Sequence, residues 1–178
     1  LSEKLIKFID WFSSYNIVSK GLVLKMCIGK SKNILKTETL DKFDYVEVKN
    51  KFKLNIEQKK AFESLNKTKN SFHVSVLEGV TGSGKTIVYF EKIKSLLKKD
   101  KQILILLPEI FLTNQFKKRF FDFFNFEPSI WHSKVTPKNK RIIWQGIINN
   151  KIKLIIGARS SLFLPFKNLG LIIVDEEH

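Results

Sequence analysis

The sequence predicts an α/β fold, a parallel sheet covered by helices on both faces, and two patterns indicate it. Continuous apolar runs of strand length stand at 72–77, 102–107, 153–158 and 169–174. Stretches with helical spacing follow or separate them, at 84–98, 110–124 and 137–149. Strands buried on both faces appear as unbroken apolar runs, and here they alternate with helices, so we expect a doubly wound parallel sheet.

A short leading segment and a polar connector precede this body. Leu5, Ile9 and Phe12 recur at helical spacing, and residues 17–29 predict a turn followed by a strand or a short helix. Residues 30–52 are charged and weakly periodic, which predicts a connector with one strand around Tyr45 to Val48. The expected units are therefore 1–29, the connector 30–52 and a lobe at 53–178.

The chain begins with Leu1 and stops at His178 directly after an apolar run, so we expect it to be a piece of a longer protein. No run reaches the roughly 18 apolar residues of a membrane span, and no signal peptide is visible. We therefore expect a cytoplasmic protein without a membrane partner. The single Cys27 has no disulfide partner and predicts a buried, inert thiol.

The charge balance favours an anionic partner. Lysine and arginine total 32 against 17 aspartate and glutamate, a net charge of +15. Such an excess suits nucleic acid. Nearly all the cations are lysine, which equally fits a bias in genome composition, so charge alone does not decide.

The lobe opens with a helix-start signal. Asn55 followed by Gln58 resembles a capping box, and the helix it opens carries Ile56, Phe62 and Leu65 on its apolar face.

The next feature is a phosphate-binding loop. Gly79, Gly84, Lys85 and Thr86 fit G-x-x-x-x-G-K-[ST], with a predicted strand before and a helix after. Such a loop curls its N–H groups inward at a helix N-terminus, where a di- or triphosphate is held. Lys85 is expected to reach the β and γ phosphates, and the Thr86 hydroxyl to bind Mg²⁺. The alternative is a plain glycine-rich turn.

A second acidic site follows the last apolar run. Residues 169–174 lead directly into Asp175 and Glu176, which places both carboxylates at the carboxyl edge of the sheet, where ligands bind in open α/β folds. Asp175 is expected to hold Mg²⁺ and Glu176 to polarise the attacking water. The alternative is a solvated acidic loop.

The aromatic run at 116–126 has two interpretations. Aromatics interleaved with cations suit stacking on single-stranded bases. Phe116, Phe120 and Phe123 fall on one helical face with Phe124 beside it, which favours core packing instead. Thr136 followed by Pro137 predicts a helix start.

These motifs resemble one family. "GVTGSGKT" with "DEEH" resembles a superfamily 2 helicase, and the segments at 106–116, 131–147 and 155–178 are similar to the first motor lobe of the primosomal replication-restart DNA helicases, the PriA family. The similarity covers 54–178 closely. The segment at 8–29 resembles the last part of that family's N-terminal DNA-binding region.

The resemblance implies a RecA-like P-loop lobe, truncated at the "DEEH" motif and preceded by a partial DNA-binding segment. It implies an ATP-dependent 3′ to 5′ DNA helicase that uses ATP and Mg²⁺ and acts on single-stranded and forked DNA together with other primosome proteins. Zinc is expected only in a cysteine cluster beyond His178, as is the second motor lobe with its arginine finger. The connector is too short for the family's usual winged helix. The chain alone should therefore bind nucleotide and turn it over slowly.

The resemblance also assigns site residues. The catalytic set is Lys85, Asp175 and Glu176, and Mg²⁺ is assigned to Thr86 and Asp175. Nucleotide binding is assigned to Gln58, Gly79, Thr81, Gly82, Ser83, Gly84, Lys85 and Thr86. DNA binding is assigned to Thr113, Gln115, Arg159 and Ser160. A capping role explains Gln58 equally well. For Thr113 and Gln115 the alternative is that they are polar residues on a helix surface, and for Arg159 and Ser160 that they form a loop turn. His132 follows a predicted strand and receives no chemistry.

Two other classes stay open. A small-molecule kinase would need an arginine-bearing lid, yet the three arginines, at 119, 141 and 159, are not clustered. A basic DNA-binding module with a vestigial ATP site would not need the intact Lys85, Thr86, Asp175 and Glu176.

Overall fold

The structure is a computed structural model that describes residues 1–28, 52–67, 72–80, 82–108 and 113–175. The described helices are α1 (Glu3–Tyr15), α2 (Lys20–Ile28), α3 (Ile56–Asn66), α4 (Lys85–Leu97), α5 (Asn114–Phe124) and α6 (Pro137–Ile148). The described strands are β1 (Gln102–Leu106), β2 (Ser129–Trp131), β3 (Leu154–Gly157) and β4 (Leu169–Val174), and a 3₁₀ helix spans Arg159–Phe163. The predicted α/β class is confirmed.

The four strands form one parallel sheet in the order β2-β3-β1-β4. The central strands alternate between two apolar layers, as the two-residue period of a strand requires. Ile103 and Ile105 of β1 pack with α4 and α5, whereas Leu104 between them packs with α6. The central strands β1 and β3 are therefore covered on both faces, which explains their unbroken apolar runs. Leu169, Ile172 and Val174 of the edge strand β4 are exposed.

The face under α4 and α5 has an aromatic core. Phe120, Phe123 and Phe124 of α5 are buried, and each ring lies 5.0–5.6 Å from the ring of Phe90 on α4. Phe116 is partly buried against the same cluster. The core interpretation of this aromatic run is confirmed, because these rings are already packed against one another.

The N-terminal segment forms two helices that pack on the lobe. Leu5 and Ile9 of α1 are buried with Cys27 of α2, and Phe163 from the lobe completes this cluster. The Trp144 indole N–H of α6 donates to the carbonyl of Cys27 at 2.8 Å. The Cys27 thiol is buried as predicted, and burial raises its pKa to about 11. Residues 20–28 are thus a helix, not a strand.

The capping box of α3 is confirmed. Asn55 Oδ1 accepts from the Gln58 backbone N–H at 2.8 Å, and the Asn55 N–H donates to Gln58 Oε1 at 3.0 Å. The apolar face of this helix is only partly confirmed, because Phe62 and Leu65 are half-buried while Ile56 is exposed. Ile56 is the first helical residue, and its side chain faces solvent.

The strand predicted at 72–77 is wrong. Residues 72–80 form no strand, and Phe72, Val74 and Val76 are exposed, Phe72 to 94%. A strand needs a neighbour for its backbone N–H and C=O groups. Within the described part of the chain this segment has no such neighbour, since the sheet ends at β4. Apolar composition alone is therefore insufficient to predict a strand.

The remaining local predictions have mixed outcomes. Thr136 caps α6 through its side chain and Pro137 stands in the first turn, so that helix start is confirmed. Strand β2 precedes His132, whose ring Nδ1 accepts from the Lys134 N–H at 3.2 Å. The strand predicted at Tyr45 to Val48, and nearly all of the connector, lie outside the described residues.

A buried glutamine holds the amino edge of the sheet. Gln102 at the start of β1 is fully buried, and Nε2 donates to the carbonyls of Ile147 and Ile152, each at 2.9 Å. Its Oε1 accepts from the N–H groups of Lys167 and Asn168 at 2.8 and 2.9 Å. One side chain thus joins the loop after α6 to the loop before β4.

Among the residues that the structure describes, no helix combines the length and apolar character needed to cross a membrane.

Candidate nucleotide site

The predicted phosphate loop has the backbone that its glycines permit. Gly82 and Gly84 adopt φ values of +82° and +85°, and Gly84 is the N-cap of α4. The Ser83 N–H donates to the Val80 carbonyl at 3.1 Å, which closes a turn. Since positive φ is disfavoured for residues with a Cβ, glycine at both positions is required by conformation. The loop therefore leads directly into a helix N-terminus, where backbone N–H groups favour an anion.

Lys85 bends over this loop. Its ammonium group donates to the carbonyl of Gly79 and, at 3.4 Å, to that of Val80. An anion at the loop would compete with these carbonyls for the ammonium group, since charge-assisted bonds to anions are the stronger ones. The lysine is thus available at the loop as a cationic ligand.

Gln58 contacts the loop as well as its own helix cap. Its Nε2 donates to the Ser83 carbonyl at 3.0 Å, while its Oε1 serves the capping box. The two interpretations of Gln58 are therefore not exclusive, because one amide supports both α3 and the loop. The structure places Gln58 beside the phosphate loop.

Asp175 lies directly after β4, at the carboxyl edge of the sheet. Its backbone N–H donates to the Leu106 carbonyl at 3.1 Å, which extends the pairing of β1 with β4 by one residue. Its carboxylate Oδ2 accepts from the Tyr89 hydroxyl at 2.6 Å. The carboxylate is therefore held by both the sheet and α4.

The environment of Tyr89 keeps its hydroxyl protonated. Burial raises the pKa of Tyr89 well above its usual range, and the negative charge of Asp175 raises it further. Thr86 and the positive charge of Arg119 oppose this rise only in part. The phenol thus acts as a hydrogen-bond donor to the carboxylate.

A cavity of about 170 Å³ lies between the first turn of α4 and Asp175. It is lined by Thr86, Leu107, Thr113, Gln115, Phe116, Arg119 and Asp175. The two oxygen ligands predicted for Mg²⁺, on Thr86 and Asp175, face one space although they lie far apart in sequence. Two residues predicted to face DNA, Thr113 and Gln115, line the same space.

The other predicted residues lie elsewhere. Arg159 and Ser160 are exposed at the start of the 3₁₀ helix, after the carboxyl end of β3, and do not line the cavity. Thr113 caps α5, with its hydroxyl accepting from the Phe116 N–H at 3.2 Å. Thr81 and Glu176 are outside the described residues.

The donor set of the cavity fits a magnesium nucleotide. A hydroxyl and a carboxylate are the hard oxygen ligands that Mg²⁺ takes in nucleotide sites, where the ion is also bound by phosphates. The adjoining loop supplies a helix N-terminus and a lysine for those phosphates. Thr86 and Asp175 would hold the ion.

Two residues of this site were missed from sequence alone. Tyr89 is a buried neighbour of the phosphate loop, and Arg119 lines the cavity from α5. Tyr89 stands three residues after Thr86, which places both on one face of α4. That spacing is a sequence pattern from which Tyr89 could have been identified. No such pattern points to Arg119, because its position depends on how α5 packs.

The two positive-φ glycines give a matched test. We expect Gly82→Ala to lower the free energy of unfolding by about 1–2 kcal/mol through backbone strain alone, since nothing lies within 4 Å of its added Cβ. Gly84→Ala should cost about 1 kcal/mol more, because its Cβ collides with Gln58 Nε2 and breaks the bond to Ser83. Urea unfolding of both variants measures the difference. Equal losses would contradict a structural role for the Gln58 contact.

Comparison with known proteins finds a family model and several relatives. A family model described as "Type III restriction enzyme, res subunit" matches residues 51–178. The replication restart protein PriA of Rickettsia prowazekii (strain Madrid E) is 46% identical over 181 residues, covering 100% of this chain and 27% of that protein. The PriA protein of Bacillus subtilis (strain 168) is 44% identical over 124 residues, which is 68% of this chain and 15% of that protein.

The similarity extends to a protein from a third bacterial genus. The PriA protein of Helicobacter pylori (strain J99) is 47% identical over 104 residues, covering 58% of this chain and 17% of the relative. The chain spans about a quarter of the length of the Rickettsia relative, 27%. Since the family model matches residues 51–178 and the Rickettsia PriA protein matches the whole chain, the chain belongs to the family of the Type III restriction enzyme res subunit and is a relative of the replication restart PriA proteins.

Proposed function

We propose that this chain is the ATP-binding lobe of an ATP-dependent 3′ to 5′ DNA helicase of superfamily 2 that acts in replication restart. The observation that carries the proposal is one cavity in which Thr86, next to the phosphate-loop lysine, faces Asp175 at the end of β4. The similarity to PriA proteins supports the choice of a DNA motor over other phosphate-loop enzymes.

The residues of the loop bind and orient the nucleotide. The N–H groups around Gly82 to Gly84 and the ammonium group of Lys85 hold phosphate oxygens, and Thr86 with Asp175 holds Mg²⁺. The ion, when bound, neutralises charge on the phosphates. Glu176 orients the attacking water and accepts its proton. Lys85 stabilises negative charge that develops on the transferred phosphoryl group.

The DNA-facing residues bind backbone phosphates. Thr113, Gln115, Arg159 and Ser160 offer hydroxyl, amide and guanidinium groups, which bond phosphate oxygens without reading bases. Arg159 and Ser160 are exposed, as such a contact requires. Residues 1–29 complete a DNA-binding region, the lobe begins at 53, and the excess of lysine adds electrostatic attraction.

The proposal also covers the compartment, the DNA substrates and the protein partners. The protein acts in the cytoplasm on single-stranded and forked DNA, together with other primosome proteins. A zinc-binding cysteine cluster cannot form within this chain, because its only cysteine is Cys27.

Unwinding polarity tests the proposal. The complete gene product is expected to separate a duplex with a single-stranded 3′ tail when ATP and Mg²⁺ are present, because a 3′ to 5′ motor loads on that tail. A duplex with a 5′ tail is the matched control and should stay paired. Strand separation is measured by fluorescence of a labelled strand. Separation of both duplexes without ATP, or of neither with it, would contradict a helicase.

A further inference from the structure

Tyr89 joins the two halves of the nucleotide site. Its side chain is only 6% exposed, and its hydroxyl donates to Asp175 Oδ2 at 2.6 Å across 86 positions of sequence. Its ring packs in the main core, with the Phe90 ring 5.2 Å away. The core therefore fixes the ring of Tyr89, and the fixed ring holds the hydroxyl at the Asp175 carboxylate.

The hydrogen bond from Tyr89 to Asp175 fixes the position of the carboxylate relative to the phosphate loop. Tyr89 stands on α4, one helical turn beyond Lys85 and Thr86, and Asp175 is attached to the sheet through the Leu106 carbonyl. A carboxylate at the end of a strand can rotate about its side-chain bonds unless a partner holds it. Tyr89 is such a partner, and it moves with the loop because it belongs to the same helix.

We propose that Tyr89 is a positioning residue that orients the Asp175 carboxylate for Mg²⁺ and thereby links metal binding to the phosphate loop. The inference rests on the proposed nucleotide function of the site. Partners that orient metal-binding carboxylates commonly change metal affinity or activity by about 10–100-fold when removed. An effect at the lower end is expected here, since Mg²⁺ usually keeps several of its waters in protein sites and depends less on any one carboxylate.

The alternative is that Tyr89 only fills the core. Phenylalanine would then serve equally well, because it retains the ring and its contacts and loses only the hydroxyl. The two roles therefore differ in how a Tyr89→Phe variant responds to Mg²⁺, and not in whether it folds.

The experiment compares nucleotide binding with and without the metal ion. A fluorescent non-hydrolysable ATP analogue is titrated into the complete gene product in EDTA and in excess Mg²⁺. In Tyr89→Phe we expect affinity in EDTA to stay within about twofold of wild type, while the gain in affinity on adding Mg²⁺ falls by about three- to tenfold. Tyr15→Phe is the matched control, because Tyr15 is exposed at the end of α1.

Thermal unfolding in EDTA separates structure from positioning. A merely structural loss would lower the melting temperature and weaken nucleotide binding equally in EDTA and Mg²⁺, which would overturn the proposal. An unchanged or increased Mg²⁺ response in Tyr89→Phe would also overturn it, while leaving the nucleotide site in place. Absence of analogue binding by the wild-type protein would instead contradict the proposed function, and the role of Tyr89 with it.

Discussion

Lys85→Ala is expected to weaken nucleotide binding by about 10–100-fold, the effect of losing one charge-assisted hydrogen bond of roughly 1.5–3 kcal/mol. Any ATP turnover should fall by a further factor of about 100 or more, because developing charge on the phosphoryl group loses its cation. The reason is local, since the Lys85 ammonium group lies at the carbonyls of the phosphate loop, and Thr86 beside it lines the cavity.

Titration with a fluorescent ATP analogue measures this loss. Lys99→Ala is a suitable control, because Lys99 is an exposed residue between α4 and β1, at the opposite edge of the sheet. Equal affinities of Lys85→Ala and Lys99→Ala would mean that the loop does not bind phosphate. A loss in Lys85→Ala with an unchanged melting temperature would exclude a folding defect as its cause.

Gln102→Leu should lower the free energy of unfolding by about 3–5 kcal/mol. The substitution keeps the buried position apolar and similar in volume, but four backbone groups lose their partner. An unsatisfied buried polar group costs about 1–3 kcal/mol, and part of that cost is recovered where a loop reaches water. The total is a large share of the stability of an ordinary domain, about 5–15 kcal/mol.

Urea unfolding of the chain measures this effect directly. Gln115→Leu is the matched control, because it makes the same chemical change at an exposed position of α5 and should alter stability by less than about 0.5 kcal/mol. If Gln102→Leu were as stable as Gln115→Leu, the buried amide would not be what joins the two loops.

The parts of the fold that were predictable depend on short-range patterns. The capping box at Asn55, the phosphate loop before α4 and the aromatic face of α5 each lie within one or two helical turns. Backbone geometry and side-chain period determine such features locally, so residue types at fixed spacing are sufficient to identify them.

The features that were missed depend on contacts between distant segments. Residues 72–77 have the composition of a strand, yet a strand exists only through a neighbour, and the described sheet ends at β4. Gln102 appeared as one polar residue in an apolar run, although it joins two loops 50 and 65 residues away. The bond from Tyr89 to Asp175 likewise requires the tertiary fold. Sequence spacing cannot supply such pairings.

The candidate site divides in the same way. The types and order of Lys85, Thr86 and Asp175 predict a phosphate and metal site, because few other chemistries need that set, and the structure brings Thr86 and Asp175 to one cavity. That Thr113 and Gln115 line the same cavity was not predictable, since it depends on how α5 packs against the end of β1.

ATP hydrolysis by the complete gene product, measured with and without single-stranded DNA, is the most direct test of the central claim. We expect Mg²⁺-dependent ATP turnover that rises several-fold with DNA and disappears in Lys85→Ala. Turnover indifferent to DNA would favour another phosphate-loop enzyme, such as a small-molecule kinase. Tight DNA binding without any hydrolysis would show a non-motor DNA-binding module with a vestigial ATP site, and either result would contradict the account.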